Sequence, residues 1–117
     1  MKYRHYAPKA DVVLFSGEAE KVAAAILARA KESRAQGYKT GILCSDETKS
    51  LYGDAEVITL GSRFEDKTIA HSLFDRLRQL DTEGMERVFS EVYADGPMGE
   101  AIMNRLRKAA GYHIENV

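Results

Sequence analysis

The chain has 117 residues, enough for one domain whose core needs neither metal nor disulfide staples. Its 17 basic and 18 acidic residues give a formal net charge of −1, so bulk charge makes no case for nucleic-acid binding, although it leaves room for a local basic patch. One cysteine, Cys44, excludes an intrachain disulfide, and no apolar run reaches membrane-spanning length or forms a signal-peptide core, so the expectation is a cytoplasmic protein with no membrane partner.

The opening stretch, MKYRHYAP, differs in character from the rest. Lys2, Arg4 and Lys9 place cations there with no acid before Asp11, Tyr3 and Tyr6 bracket His5, and Pro8 favours an extended or turn conformation before it. Two readings stand side by side. One is a solvated terminal arm that packs a tyrosine on the domain. The other is a segment that reaches an anionic ligand or partner, with Arg and Lys donating to phosphate and tyrosines supplying contact area. The second needs another surface, because so short a segment cannot enclose a site.

Val12–Phe15 is a continuous apolar run, the pattern of a strand buried on both faces. Ser16 and Gly17 break it, and Ala19, Val22, Ala23, Ile26, Leu27 and Ala30 then repeat at helical spacing up to a stop at Gly37. A strand followed by a crossover helix implies a parallel neighbour. Thr40–Cys44 reads as the second strand, with Cys44 a small buried hydrophobe at its end. Ser45, Asp46, Glu47 and Thr48 follow, either as a turn and helix start or as a polar ligand cluster, since open sheets bind ligands beyond strand carboxyl ends. Residues from Thr48 to Tyr52 suggest a short helical turn.

Ala55–Leu60 is the expected third strand, ended by Gly61 and Ser62. Asp66 is placed to cap the next helix, whose apolar face is Ile69, Ala70, Leu73, Phe74, Leu77 and Leu80, with a stop at Gly84. Arg87–Tyr93 is the expected fourth strand, and its lower hydrophobicity suggests a place nearer a sheet edge. Ala94 to Gly99 forms a turn with two glycines around Pro97, which is neither GxGxxG nor a P-loop. The last helix turns Ile102, Leu106, Ala109 and Ala110 inward, widened by Met103, and gathers Asn104, Arg105, Arg107 and Lys108 on its other side. That side is either a solvated face or a phosphate or protein contact. The expected fold class is α/β: a small Rossmann-like three-layer domain with a mainly parallel sheet. The expected division is an arm at 1–10, a domain at 11–111 and a tail at 112–117.

MKYRHYAPKA resembles the linker of the longer Sua5-type threonylcarbamoyl-AMP synthases, and GPMGEAIMNRLRKAAG resembles the signature near their C-terminus. GILCSDE, AEVITLG and SLFDRLRQLDTEG fit the accessory Sua5 domain in the same order. The resemblance implies a parent whose preceding YrdC-like domain carries the synthase pocket, combining threonine, bicarbonate and ATP, with Mg2+, into threonylcarbamoyl-adenylate for modification of adenosine 37 in certain tRNAs. That catalytic domain is not among these residues, so the chain looks like the accessory part of a two-domain parent. No cofactor is expected in the part itself.

By the same resemblance, Lys2, Arg4, His5 and Tyr6 match linker positions that approach substrate or the other domain, and Gly99, Asn104, Arg105 and Lys108 match the C-terminal signature. Many relatives carry GLG where this chain has PMG, with Met98 between Pro97 and Gly99. The leading expectation is a regulatory or interdomain module. The alternative is an independent nucleotide or small-molecule binding domain using Ser45, Asp46 and Glu47 beside Gly61 and Ser62. Autonomous nucleotide hydrolysis lacks a Walker lysine motif, and direct contact with tRNA has no long basic run behind it.

Overall fold

The structure, a computed structural model, describes residues 8–62, 64–92, 99–111 and 113–117. Lys2, Arg4, His5 and Tyr6 of the arm, and the turn at 93–98, lie outside the described residues.

Strands β1 (Asp11–Ser16), β2 (Thr40–Cys44), β3 (Ile58–Thr59), β4 (Arg87–Glu91) and β5 (Ile114–Asn116) form one sheet in the order β3-β2-β4-β1-β5. Every pairing is parallel, as crossover helices require. Helices α1 (Ala19–Ala35), α2 (Asp66–Thr82) and α3 (Gly99–Ala109) cover it, with a short 3-10 turn at Lys49–Tyr52. The domain is a small Rossmann-like α/β fold.

Period-two alternation in the strands divides the core into two clusters. Val13 and Phe15 of β1 join Ile42, Cys44 and Phe89 under Val22, Ala23, Ile26 and Ala30 of α1. Val12 and Leu14 face the other way, with Leu43 and Val88, and pack against Leu73 and Leu77 of α2 and Ile102 and Leu106 of α3. Both faces are therefore covered, which is why β1 is apolar without a polar interruption. After α1, Gly37 has φ +92°, a left-handed conformation that suits the helix stop.

Cys44 is a wholly buried thiol within the α1-side cluster. Cys44→Ser is expected to cost about 1–3 kcal/mol in chemical denaturation, because a hydroxyl replaces an apolar sulfur there. In the native state the thiol should resist a bulky thiol reagent; modification at the rate of an exposed thiol, without unfolding, would contradict this assignment.

Four expectations need correction. Strand β4 is central, not near an edge: it lies between β2 and β1, and Val88, Phe89, Ser90 and Glu91 are all buried. Its polar residues are tolerated there because they are hydrogen-bonded, not because water reaches them. Strand β3 is only Ile58–Thr59. Asp66 is the first residue of α2, following Glu65 at the cap position. The segment expected as a tail supplies β5, which pairs with Leu14–Ser16 of β1. Val117 N–H donates to the Ser16 carbonyl at 2.9 Å, and Gly17 permits the approach: at φ +147° a Cβ there would lie 2.6 Å from the Val117 carbonyl oxygen.

Candidate functional site

In open α/β sheets, ligands bind beyond the strand carboxyl ends where neighbouring strands send the chain to opposite edges. Here β2 leads outward to β3, while β4 leads across β1 to β5, so the switch lies between β2 and β4. The residues at that point are Ser45–Thr48 after β2 and Glu91 at the end of β4.

Glu91 is only 2% exposed, and its carboxylate spans the switch. The Ser45 N–H donates to Oε1 at 3.2 Å, the Thr48 hydroxyl to Oε1 at 2.9 Å, and the Tyr52 hydroxyl to Oε2 at 2.6 Å. Ser45 Oγ and Thr48 Oγ1 lie 3.0 Å apart, which closes the network. The protein's own carboxylate thus stands where this class of sheet usually receives an anionic ligand group. Ser45 and Thr48 are buried against it rather than open to a cleft.

Asp46 and Glu47 are exposed above this network. Asp46 N–H donates to the Gly61 carbonyl at 2.9 Å, and the Ser62 hydroxyl donates to Glu47 Oε2 at 2.6 Å. The loops after β2 and β3 are therefore tied into one rim. Phe64, 86% exposed, stands beside it, with its N–H donating to Ser62 Oγ at 3.2 Å. The structure brings Ser45, Asp46, Glu47 and Ser62 together, but with Ser45 inside and the two acids outside.

The four candidates on α3 do not form one patch. Gly99 is buried at the first turn, beside the carboxyl end of the sheet. Lys108 lies about 13 Å further along the helix at 1.5 Å per residue. Asn104 and Arg105 are exposed between them, and the Arg105 guanidinium lies 5.7 Å from the Phe74 ring centroid.

Lys108 belongs to a different feature, a groove of about 510 Å³ beside the amino-terminal half of β1. Among the described residues, β5 pairs only with Leu14–Ser16 and leaves the Asp11–Val13 edge open on that side. Lys9, Arg29, Arg87, Lys108 and His113 line it, with Asp11. Arg29 donates to Glu115 Oε1 at 2.7 Å, and its guanidinium lies 5.6 Å from the ring centroids of both Phe15 and Phe89. Arg87 lies 3.9 Å from the Tyr38 ring centroid, and its Nε is 3.8 Å from Asp11 Oδ2.

The hydrogen bond from Arg29 holds the Glu115 carboxyl below its usual range, with partial burial opposing it and the Arg29 charge and His113 reinforcing it. A lowered folded-state pKa means that this tether of β5 to α1 is present above the ordinary carboxylate pKa and is lost as pH falls through the lowered value.

Sequence reasoning missed Glu91 and this groove. Glu91 left one local signal, a carboxylate ending an otherwise strand-like RVFSE; its partners are 39 to 46 residues away. The groove cations come from separate segments and make no run. Among the described residues, no three His, Cys, Asp or Glu side chains converge to hold a metal. Among them, too, no helix is long and apolar enough to cross a membrane.

The family described as threonylcarbamoyl-AMP synthase, C-terminal domain, matches residues 1–111. The chain is 39% identical over its whole length to threonylcarbamoyl-AMP synthase of Pyrococcus abyssi, of which it covers 33%. It is 36% identical over 97% of its length to the Bacillus subtilis protein of the same name, covering 32% of it. It thus spans about a third of the length of these curated relatives.

Among solved structures, P. abyssi Sua5 complexed with L-threonine superposes with a TM-score of 0.82 at 38% identity, over 100% of this chain and 33% of that one. A variant of the same P. abyssi protein, with a histidine and the adjacent tyrosine both changed to alanine, gives a TM-score of 0.80 at 35% identity, covering 94% of this chain and 30% of that one. The C-terminal Sua5 domain from Pyrococcus horikoshii gives 0.72 at 34% identity, covering 95% of this chain and 100% of that domain.

Proposed function

The chain belongs to the family of threonylcarbamoyl-AMP synthase C-terminal domains, and from that premise we propose that it acts as the accessory domain of such a synthase, positioning or gating a YrdC-like catalytic domain. The observation that carries the reading is the extent of the match: arm and domain together, residues 1–111, correspond to about a third of proteins named for the whole activity. The reaction assigned to the parent joins threonine, bicarbonate and ATP, with Mg2+, and its product serves tRNA adenosine-37 modification. This domain supplies position rather than chemistry. Binding energy spent on holding reacting groups lowers a barrier without any covalent role for the residues that hold them.

The self-occupied switch point supports an accessory role. Glu91 fills the crevice between β2 and β4, which makes the carboxyl end of the sheet a braced platform. Gly99 starts α3 from that end, and the tied loops with Phe64 form its rim. The arm, with Lys2, Arg4, His5 and Tyr6, reaches the catalytic pocket. P. abyssi Sua5 has been altered at an adjacent histidine and tyrosine, and this chain has such a pair at His5–Tyr6. An arm that closes over the pocket shields a labile mixed anhydride from water, and its opening admits ATP or releases product.

The 117-residue chain, incubated with threonine, bicarbonate, ATP and Mg2+, is expected to give no threonylcarbamoyl-adenylate above a blank. The parent's catalytic domain should lose output when this domain is removed and regain it when the two are joined. Robust synthesis by the homogeneous chain, or full activity of the catalytic domain without it, would overturn the proposal.

A further inference from the structure

We propose that the groove beneath β5 binds an oligophosphate anion, either free pyrophosphate or the phosphate tail of a nucleotide. Its cations come from four elements: Lys9 from the segment entering β1, Arg29 from α1, Arg87 from β4 and Lys108 from α3. Among the described residues, one carboxylate lines the groove against them, Asp11, whose Oδ2 lies a loose 3.8 Å from Arg87 Nε. In a chain of net charge −1, that is a local concentration of positive charge.

The cations differ in what they offer. Glu115 compensates Arg29 from outside the lining, and the Phe15 and Phe89 rings fix the guanidinium in place. Arg87 is steadied on Tyr38. Two guanidinium groups are thus held in position before any ligand arrives, which limits the ordering cost of binding. Among the described residues, neither the Lys9 nor the Lys108 ammonium has an ion-pair partner, while His113 lines the groove with its Nε2 engaged 3.1 Å from Glu115 Oε2.

Size and placement select the ligand class. A volume of about 510 Å³ lies within the range of small-molecule sites. A single tetrahedral anion cannot use cations from four elements as fully as a chain of linked phosphates can. An extended nucleic acid calls for a longer basic stripe than one concavity. The site lies along the uncovered edge of β1, separate from the Glu91 platform, and Pro8 also lines it. A bound anion would therefore sit at the root of the arm. This inference does not depend on the synthase reading, since the site lies wholly within the described chain.

The test is calorimetric titration of the 117-residue chain with pyrophosphate, tripolyphosphate, ATP and orthophosphate. Saturable binding is expected for the first three, weaker for orthophosphate and weakened by salt. ATP matching tripolyphosphate would show that phosphates alone are read; tighter ATP would identify a nucleotide site. Lys9→Ala combined with Lys108→Ala should weaken binding at least about tenfold while leaving the unfolding midpoint unchanged, since the fold uses backbone groups that alanine keeps: the Lys9 N–H bonded to Asp81 and the Lys108 carbonyl accepting from Gly111 N–H. Arg78→Ala, on the outer face of α2, should leave binding unchanged. No saturable binding of pyrophosphate or tripolyphosphate, undiminished binding by the double variant, an equal loss in Arg78→Ala, or binding of single-stranded RNA alone would each overturn the proposal.

Discussion

Glu91→Ala is expected to destabilise the chain by about 3–5 kcal/mol, a large fraction of the stability of a domain this size. The substitution leaves the Tyr52 hydroxyl, the Thr48 hydroxyl and the Ser45 N–H without their shared acceptor, in a place that is buried. It also opens a cavity between β2 and β4. Tyr52→Phe removes one of these bonds together with its donor, so its expected cost is smaller, about 1.5–3 kcal/mol. Denaturant midpoints at constant m-value measure both.

A double variant separates two physical accounts. If Glu91 stabilises chiefly by satisfying its donors, Glu91→Met with Tyr52→Phe should recover part of the loss of Glu91→Met alone, because donor and acceptor disappear together. A loss in Glu91→Ala within about 0.5 kcal/mol of wild type, the range of ordinary surface changes, would mean that the network does not brace the switch point.

The same residue shows why part of the fold was legible in the sequence and part was not. β1 and α1 were readable because each carries its own periodicity: Val12–Phe15 is continuous, and Val22, Ala23, Ile26 and Ala30 share one face. The placement of β4 was not. Judged locally, Ser90 and Glu91 make the strand less apolar and suggest an edge, but the groups that satisfy Glu91 arrive from the loop after β2 and the 3-10 turn. A central strand can carry a carboxylate when distant donors meet it, and a local window cannot see them.

β5 is a similar case. Three residues have too little pattern to announce a strand, and this one is held by pairing with β1 and by Arg29 acting on Glu115 across 86 positions. For the candidate sites, residues 45–47 follow β2 directly, and Ser45 faces inward to Glu91 while Asp46 and Glu47 are exposed. The groove was invisible because Lys9, Arg29, Arg87 and Lys108 are scattered along the chain and only the β1 edge brings them together.

Arg4→Ala in the full-length parent is expected to lower threonylcarbamoyl-adenylate formation by about ten- to a hundredfold, with this domain still folded. The estimate follows from losing one charge-assisted hydrogen bond to phosphate, about 1.5–3 kcal/mol if the contact is direct and desolvated. The motivation is the joint occurrence of Lys2, Arg4, His5 and Tyr6 ahead of an α/β domain. Among the described residues, both core clusters are built from Ala10 and from Val12 onward. A segment rich in donors to phosphate is suited to act on another domain.

Tyr6→Ala tests a different part of the same idea. It removes contact area rather than charge, so it should loosen closure of the arm and raise the loss of intermediate to water more than it weakens ATP affinity. Arg4→Ala should do the reverse, weakening phosphate positioning first. Measuring ATP affinity, intermediate yield and unfolding of this domain in both variants distinguishes the two effects. Unchanged affinity and unchanged synthesis in both parents would sink the active-site arm, while leaving the fold, the Glu91 brace and the anion groove to be judged on their own measurements.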